Sequence, residues 1–303
     1  MNNVNTTALF QHLDKQLITV SDETLMAFTN ALKAKFGSSL RTVMFYGSCL
    51  RSREYNAAML DFYAVVDDYK EAYDSKTHAL LNAFLAPNVY FQTVEINGLK
   101  VQAKYAVLSE KDLLRQTSVR AYHSYFWARF AQPFALIYAF DEQARRQVVQ
   151  AQLNSITTIY TQAIGLFDGL PTAQEFWVEA LQKTYAAELR AESKARASLI
   201  YDANKRHYDD AFNHLLSAGF SHSSKASGWT ALNWVIRSVW GKLLSIARLL
   251  KAATTFENGV DYLAWKIERH SGVRVEINDR HRKHPFIYCW PILWRLWRAG
   301  AVR

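Results

Sequence analysis

Two short apolar runs dictate how the first half of this chain folds. LRTVMFYG, ending at Gly47, and MLDFYAVVD, opening at Met59, are rich in β-branched and aromatic residues and are bounded by turn formers. Runs of that length and composition read as buried strands. VYFQTVEINGLKVQAKYAVLS reads as a hairpin around Asn97-Gly98, a strong short-range turn signal. Ahead of these, residues 7–36 read as one or two helices, with Ser21-Asp22 as a cap before ETLMAFTNALKAKF. Strand, helix, strand and hairpin make a mixed α/β unit that ends near Tyr138.

From Asp141 the periodicity turns helical and stays so. QARRQVVQAQLNSITTIYTQAIGLF, the stretch from Ala173 to Leu216, and TALNWVIRSVWGKLLSIARLLKAA all repeat apolar residues at helical spacing. Gly169 to Thr172 and Ser217 to Gly228 hold the connections. The expected fold class is α+β, a mixed sheet with helices followed by an all-helical C-terminal region. The expected units are 1–140, 141–228 and 229–303.

Composition narrows the compartment and the partners. Cys49 and Cys289 make neither a metal-ligand spacing nor a disulfide framework, which points to a reducing compartment. The N-terminus lacks the charged and apolar regions of a secretory signal. No uncharged apolar run reaches the roughly 18 residues that span a bilayer. The net charge of +9 is carried entirely by residues 225–303, with 14 Lys and Arg against five Asp and Glu. The same residues hold seven of the nine tryptophans. Basic charge mixed with Trp suits an anionic membrane surface or a nucleic acid, and equally a solvated helical face over an aromatic core.

FYGSCLRSREYNAAMLDFYAVVDD, from Phe45 to Asp68, is where chemistry is expected. A Gly after a strand lets backbone N–H groups approach phosphate oxygens, and Ser48 adds a hydroxyl donor. Gly-Ser also ends many ordinary strands. Asp61 opens an otherwise apolar strand, where a carboxylate needs a partner or a metal. Beside the Gly47-Ser48 turn it would hold Mg²⁺ against a triphosphate, a layout found in many nucleotidyltransferases. Those enzymes usually carry Asp-x-Asp, and the third position here is Tyr63. Strand alternation sets Asp61, Tyr63, Val65 and Asp67 on one side, with Asp61 and Asp67 about 20 Å apart in a straight strand. Asp67 and Asp68 are the remaining candidate metal carboxylates, with capping of the next helix as their alternative role. Lys104, within the hairpin, reaches a phosphate or snorkels at an edge.

NAAMLDFYAVVDDY, NVYF, NGLKVQAKYAVLS and ARFAQPFALI, in that order, resemble the nucleotidyltransferase domain of the mitochondrial translocator assembly and maintenance protein family. That family is a soluble-type phosphatidate cytidylyltransferase, and the likeness is to a bacterial-like member. It is dense from Val43 to Leu136, thins through the helical middle and partly returns around SIARLLKAATTFENG. By this resemblance Tyr46, Gly47 and Ser48 match the nucleotide-cradling turn, and Asp61 the metal-binding strand aspartate. Lys104 matches the lysine of the third motif, Arg129 the arginine of the fourth, and Lys251 a lysine near the C-terminus. Ala106 and Ala128 replace family glycines and Ala131 a glutamine, which puts local backbone shape in question. The family also lacks a second aspartate at the position of Tyr63.

The resemblance implies a nucleotidyltransferase-type sheet and an enzyme that converts CTP and phosphatidic acid to CDP-diacylglycerol and pyrophosphate, with Mg²⁺ as cofactor. The helical region would then meet the lipid phosphate. Glu188 and Glu192 share a helix face, so Glu188 is a candidate to complete the metal site and Arg190 to meet a phosphate. Arg237, Arg248 and Lys251 fall within about 60° of one helical face, a third candidate phosphate site. A solvated, salt-bridged helix face is the plain alternative for the first group. Trp290, Trp294 and Trp297 beside Arg295 and Arg298 suit shallow insertion among anionic headgroups, or a helix docked on the core. The expectation is a peripheral protein on the inner, cytoplasmic or matrix-side, face of a membrane. Nucleic acid is disfavoured as a partner because the tail lacks the interleaved Gly and strand aromatics of common RNA modules. The rival readings are transfer to another acceptor, RNA or a small metabolite, and an inactive lipid-binding scaffold.

Overall fold

Asp22 begins the first long helix of the sheet unit. Its side chain accepts from the backbone N–H groups of Thr24 and Leu25, two of the donors that a helix start leaves unpaired. The computed structural model describes residues 5–53, 55, 59–96, 98–188, 194–220 and 225–255. The segment 7–36 is two helices, α1 (Thr7–Gln16) and α2 (Glu23–Phe36). Between them Ile18 bridges Ala135.

The two apolar runs are β1 (Leu40–Tyr46) and β2 (Leu60–Val66), joined through the short helix α3 (Ser48–Ser52). After α4 (Tyr69–Ala72) and α5 (Lys76–Phe84) comes the hairpin of β3 (Asn88–Ile96) and β4 (Leu99–Ser109). Helices α6 (Glu110–Thr117) and α7 (Trp127–Phe130) lead to a fifth strand, β5 (Ala135–Ala139). The sheet order is β3-β4-β2-β1-β5, with β2 and β4 parallel and the other pairs antiparallel. The chain is therefore α+β. The fifth strand went unread because ALIYA offers little alternation; it is an edge strand that β1 recruits through Phe45↔Ala135 and its neighbours.

Strand periodicity divides the sheet cleanly. Phe62, Ala64, Val43, Phe45, Ala103 and Tyr105 face α2 through Phe28, Leu32 and Phe36. Tyr63, Val65, Met44, Ala106 and Leu108 face the opposite layer, built by Phe126, Phe130 and Phe134 with Val148 and Ala151. The last two belong to α8 (Glu142–Ala163), which also packs into the helical core. That core is completed by α9 (Ala173–Ala186), α10 (Lys194–Ala203), α11 (Lys205–Ser217) and α12 (Gly228–Thr255). Trp177, Tyr201, Tyr208 and Phe212 fill its centre.

Helix α12 ties the helical layer to the sheet. Trp234 donates its ring N–H to the Gln162 carbonyl at 2.9 Å, and Ser238 donates to the Ala186 carbonyl at 2.8 Å. Further along, Arg248 donates to the Ala86 carbonyl at 2.9 Å and Lys251 to that of Pro87 at 2.9 Å, ahead of β3. No helix among the described residues is long and apolar enough to cross a membrane. Arg190, Glu192 and the Trp290–Arg298 segment lie outside the described residues.

Candidate active site

The end of β1 creates the site's central feature. Gly47 leaves the strand at φ 94° and ψ −160°, a conformation that essentially only glycine adopts. A Cβ built there would sit 3.1 Å from Asp61 Oδ2. The turn and the aspartate therefore meet because residue 47 has no side chain. Register does the rest: Tyr46 pairs with Asp61 across β1 and β2, and Asp61 pairs with Lys104 across β2 and β4. Lys104 Nζ lies 2.9 Å from Asp61 Oδ1, with both side chains partly open to solvent.

These groups line a cavity of about 270 Å³ together with Ser48, Arg51, Arg129, Gln132, Tyr185 and Arg196. Lys104 and three arginines, Arg51, Arg129 and Arg196, thus converge around the turn and Asp61. Arg129, from α7, is held rigidly by Glu188 just past α9. Two parallel bonds join them, Nη1 to Oε1 at 2.7 Å and Nη2 to Oε2 at 2.9 Å. Arg129 Nη1 also donates to the Tyr125 carbonyl at 2.6 Å, and the guanidinium lies over the Tyr125 ring. Burial works against charge on Arg129, but the Glu188 carboxylate outweighs it and holds the guanidinium above its ordinary pKa. Tyr46 stacks on Tyr63 with centroids 4.8 Å apart, and Tyr63 meets Phe130 at 4.9 Å. Burial above all pushes Tyr46 and Tyr63 up, so both stay neutral. Tyr63 is thus a packing residue under the cavity floor.

Tyr46, Gly47, Ser48, Asp61, Lys104 and Arg129 come together as the sequence predicts. Other expected members do not join them. Asp67 and Asp68 lie at the far end of β2, where the Asp67 N–H donates to the Ser39 carbonyl. Asp68 caps α4 by accepting from Lys70 N at 2.8 Å, and Asp67 accepts from Asp68 N. Six residues of extended strand keep both from Asp61. Glu188 reaches the site, but as the partner of Arg129 rather than as a metal ligand.

The cations of α12 share one face as predicted, and that face points inward. Arg237, Arg248 and Lys251 are only 2, 9 and 4% exposed. Arg237 donates to the Tyr122 carbonyl and to Gln162 Oε1, both at 2.7 Å, and is ringed by Tyr122, Trp127 and Trp234. Arg248 and Lys251 satisfy the carbonyls of Leu85, Ala86 and Pro87. All three fasten the helix to the body of the protein and are not open to a lipid phosphate.

No protein-family model matches the sequence, and no curated protein matches it. Among solved structures, a nucleotidyltransferase-like protein from Exiguobacterium sibiricum 255-15 is similar at 12% identity, over 91% of each chain, with a TM-score of 0.27. A TM-score that low transfers no residue's role to this chain.

Sequence reasoning missed Arg51, Gln132, Tyr185 and Arg196. Arg51 had a signal, since it lies one helical turn after Ser48 on the helix that leaves the glycine turn. Arg196 had none: it stands in a polar stretch 67 positions after Arg129, and only the packing of α10 on α9 brings it to the cavity. A larger open groove of about 670 Å³, between α1, α6 and α8, shares no residue with this site and gathers no comparable set of cations.

Proposed function

We propose that this protein is a nucleotidyltransferase that moves a cytidylyl group from CTP to phosphatidic acid, giving CDP-diacylglycerol and pyrophosphate. The observation that carries the transferase reading is the convergence of the Gly47-Ser48 turn, Asp61 and four cationic side chains on one cavity. A triphosphate needs that combination: an approachable backbone, a hydroxyl, and fixed positive charge. CTP and the lipid acceptor rest on the motif resemblance over residues 43–136.

In this reading Gly47 and Ser48 receive the β- and γ-phosphates. Arg51, Arg129 and Arg196 neutralise their charge. A phosphatidate oxygen forms a bond to the α-phosphorus as the α–β bridging bond breaks, and pyrophosphate leaves with the electron pair. The attacking phosphate is already ionised at neutral pH, so positioning and charge neutralisation dominate over a general base. Lys104 approaches the reacting phosphate from the strand beside Asp61.

Mg²⁺ binds to proteins through one or two carboxylates plus substrate phosphates, and Asp61 offers one such carboxylate at the cavity. Among the described residues no group of three His, Cys, Asp or Glu could cage a metal by itself. The donor set thus fits an ion that arrives on the triphosphate, with Asp61 as its protein ligand. Such an ion would offset charge developing on the phosphate oxygens. The reaction would take place at the inner face of a membrane, where its lipid substrate lies.

The test is purified protein with labelled CTP, Mg²⁺ and phosphatidic acid in mixed micelles. Labelled CDP-diacylglycerol, lost in Asp61→Ala, supports the reading. Label passing to RNA and not to lipid would replace the acceptor, and vesicle binding without product would leave only an inactive scaffold.

A further inference from the structure

Helix α12 has a second face, which points away from the body of the protein. Trp229, Leu232, Val235, Ile236, Val239, Trp240 and Leu243 are each between 47 and 68% exposed. At 100° per residue they form one continuous stripe, centred about 120° round the helix from the buried cations and about 20 Å long at the helical rise. Soluble proteins seldom leave so many large apolar side chains together in water. The segments that α12 bonds through its other face also expose apolar side chains: Val119 and Tyr122, where Tyr122 bonds Asn233, and Phe84, 88% exposed and next to the Leu85 whose carbonyl accepts Lys251.

Charge identifies the occupant. Helix α12 and the two segments next to it in the fold, α5 and residues 118–126, contain no Asp or Glu at all. They carry Lys76, Arg120 and Lys242, with Lys225 just ahead of α12. We propose that the outward face of α12, from Trp229 to Leu243, is the surface on which this protein lies against an anionic lipid bilayer. The helix lies in the interfacial plane, with its apolar stripe among the acyl-chain ends, Trp229 and Trp240 at headgroup level, and the cations toward anionic lipid.

Other occupants fit less well. A two-fold pairing of this face with a second copy would set the cations of each copy against those of the other. Residues 256–303 of the same chain carry nine Lys and Arg against five Asp and Glu, so covering the stripe with them would stack basic charge on basic charge. An anionic membrane complements both the apolar and the electrostatic character. Ser238 and Gly241 join this helix to Ala186 and Ala187, immediately before Glu188 at the candidate active site. The helix that would meet the membrane therefore packs against the chain segment that supplies Tyr185 to the cavity and Glu188 to Arg129.

This inference deepens the lipid-acceptor reading by naming the surface that meets the lipid, and its test uses no nucleotide. Full-length protein is sedimented with vesicles of phosphatidylcholine alone and of phosphatidylcholine with phosphatidylglycerol. Wild type binds the anionic vesicles preferentially, and V235D/V239D binds them at least about tenfold more weakly at unchanged melting temperature. Asp61→Ala binds like wild type. In a second measurement Val239→Cys, made with Cys289→Ser, carries a polarity-sensitive fluorophore whose emission shifts to the blue with anionic vesicles. Unchanged binding of V235D/V239D, or no shift at position 239, overturns the proposal. So does a wild-type dimer that V235D/V239D converts to monomers without loss of vesicle binding. Loss of product with intact vesicle binding counts against the reaction and leaves this surface standing.

Discussion

Gly47 is the residue on which the site's geometry turns. Any side chain there meets two costs, a backbone conformation reserved for glycine and a 3.1 Å approach to Asp61 Oδ2. Gly47→Ala should cost roughly 1–3 kcal/mol of stability. It should lower transfer by at least about tenfold, because the small displacement falls on Asp61 itself. Denaturant unfolding and steady-state rates measure the two effects separately. Arg129 and Glu188 behave as a unit at this scale. Each single alanine leaves a partly buried charge without its partner, a loss of roughly 1–3 kcal/mol. Arg129→Ala/Glu188→Ala should then be no less stable than either single variant; additive losses in a double-mutant cycle would show that the pair is not coupled.

At the scale of elements, α12 is fixed by close approach and by buried cations. A Cβ on Gly241 would stand 2.4 Å from the Ala187 carbonyl oxygen, which is backbone and cannot turn aside. Gly241→Ala improves helix propensity by about 1 kcal/mol, and should nevertheless lower the melting temperature because α12 must move off α9. Lys251 adds a pH dependence. Burial, reinforced by the nearby Arg248 charge, lowers its pKa to about 7 from the ordinary 10.5. Between those values the unfolded chain binds the proton and the folded chain does not, so this group makes stability rise with pH from about 7 upward. Below 7 its penalty is constant. Lys251→Met should flatten that rise in melting temperature relative to wild type, and a parallel pH profile in the variant would refute the assignment.

The same helix shows what could be read from the chain. Helical spacing correctly grouped Arg237, Arg248 and Lys251, because spacing fixes which side chains share a face. It did not tell which face meets the protein, since the carbonyls they satisfy are separated from them by over a hundred positions in sequence. Strand alternation sets Asp61 on the side of Tyr63 and Val65 and leaves Lys104 open between a phosphate and an edge; only the β2–β4 register makes the two neighbours. Asp67 satisfied the same alternation and still belongs to the opposite end of its strand. Helical spacing sets Glu188 on a face shared with Glu192, but Glu188 lies just past the end of α9, and its bond to Arg129 spans 59 positions and leaves no local trace.

For the molecule as a whole, the end of the sheet that carries the candidate site meets a helical layer in which α12 shows an apolar outer stripe and contains no Asp or Glu. Tyr185 and Glu188 of the candidate site flank Ala186 and Ala187, which α12 touches through Ser238 and Gly241. Such an arrangement suits an enzyme that takes one substrate from water and the other from a bilayer. The most direct test of that account follows the position of the label in CTP. With Mg²⁺ and phosphatidic acid, α-labelled CTP should give labelled lipid, and γ-labelled CTP should give labelled pyrophosphate and unlabelled lipid. A γ-label in the lipid, or an α-label that never enters it, would contradict cytidylyl transfer to phosphatidic acid.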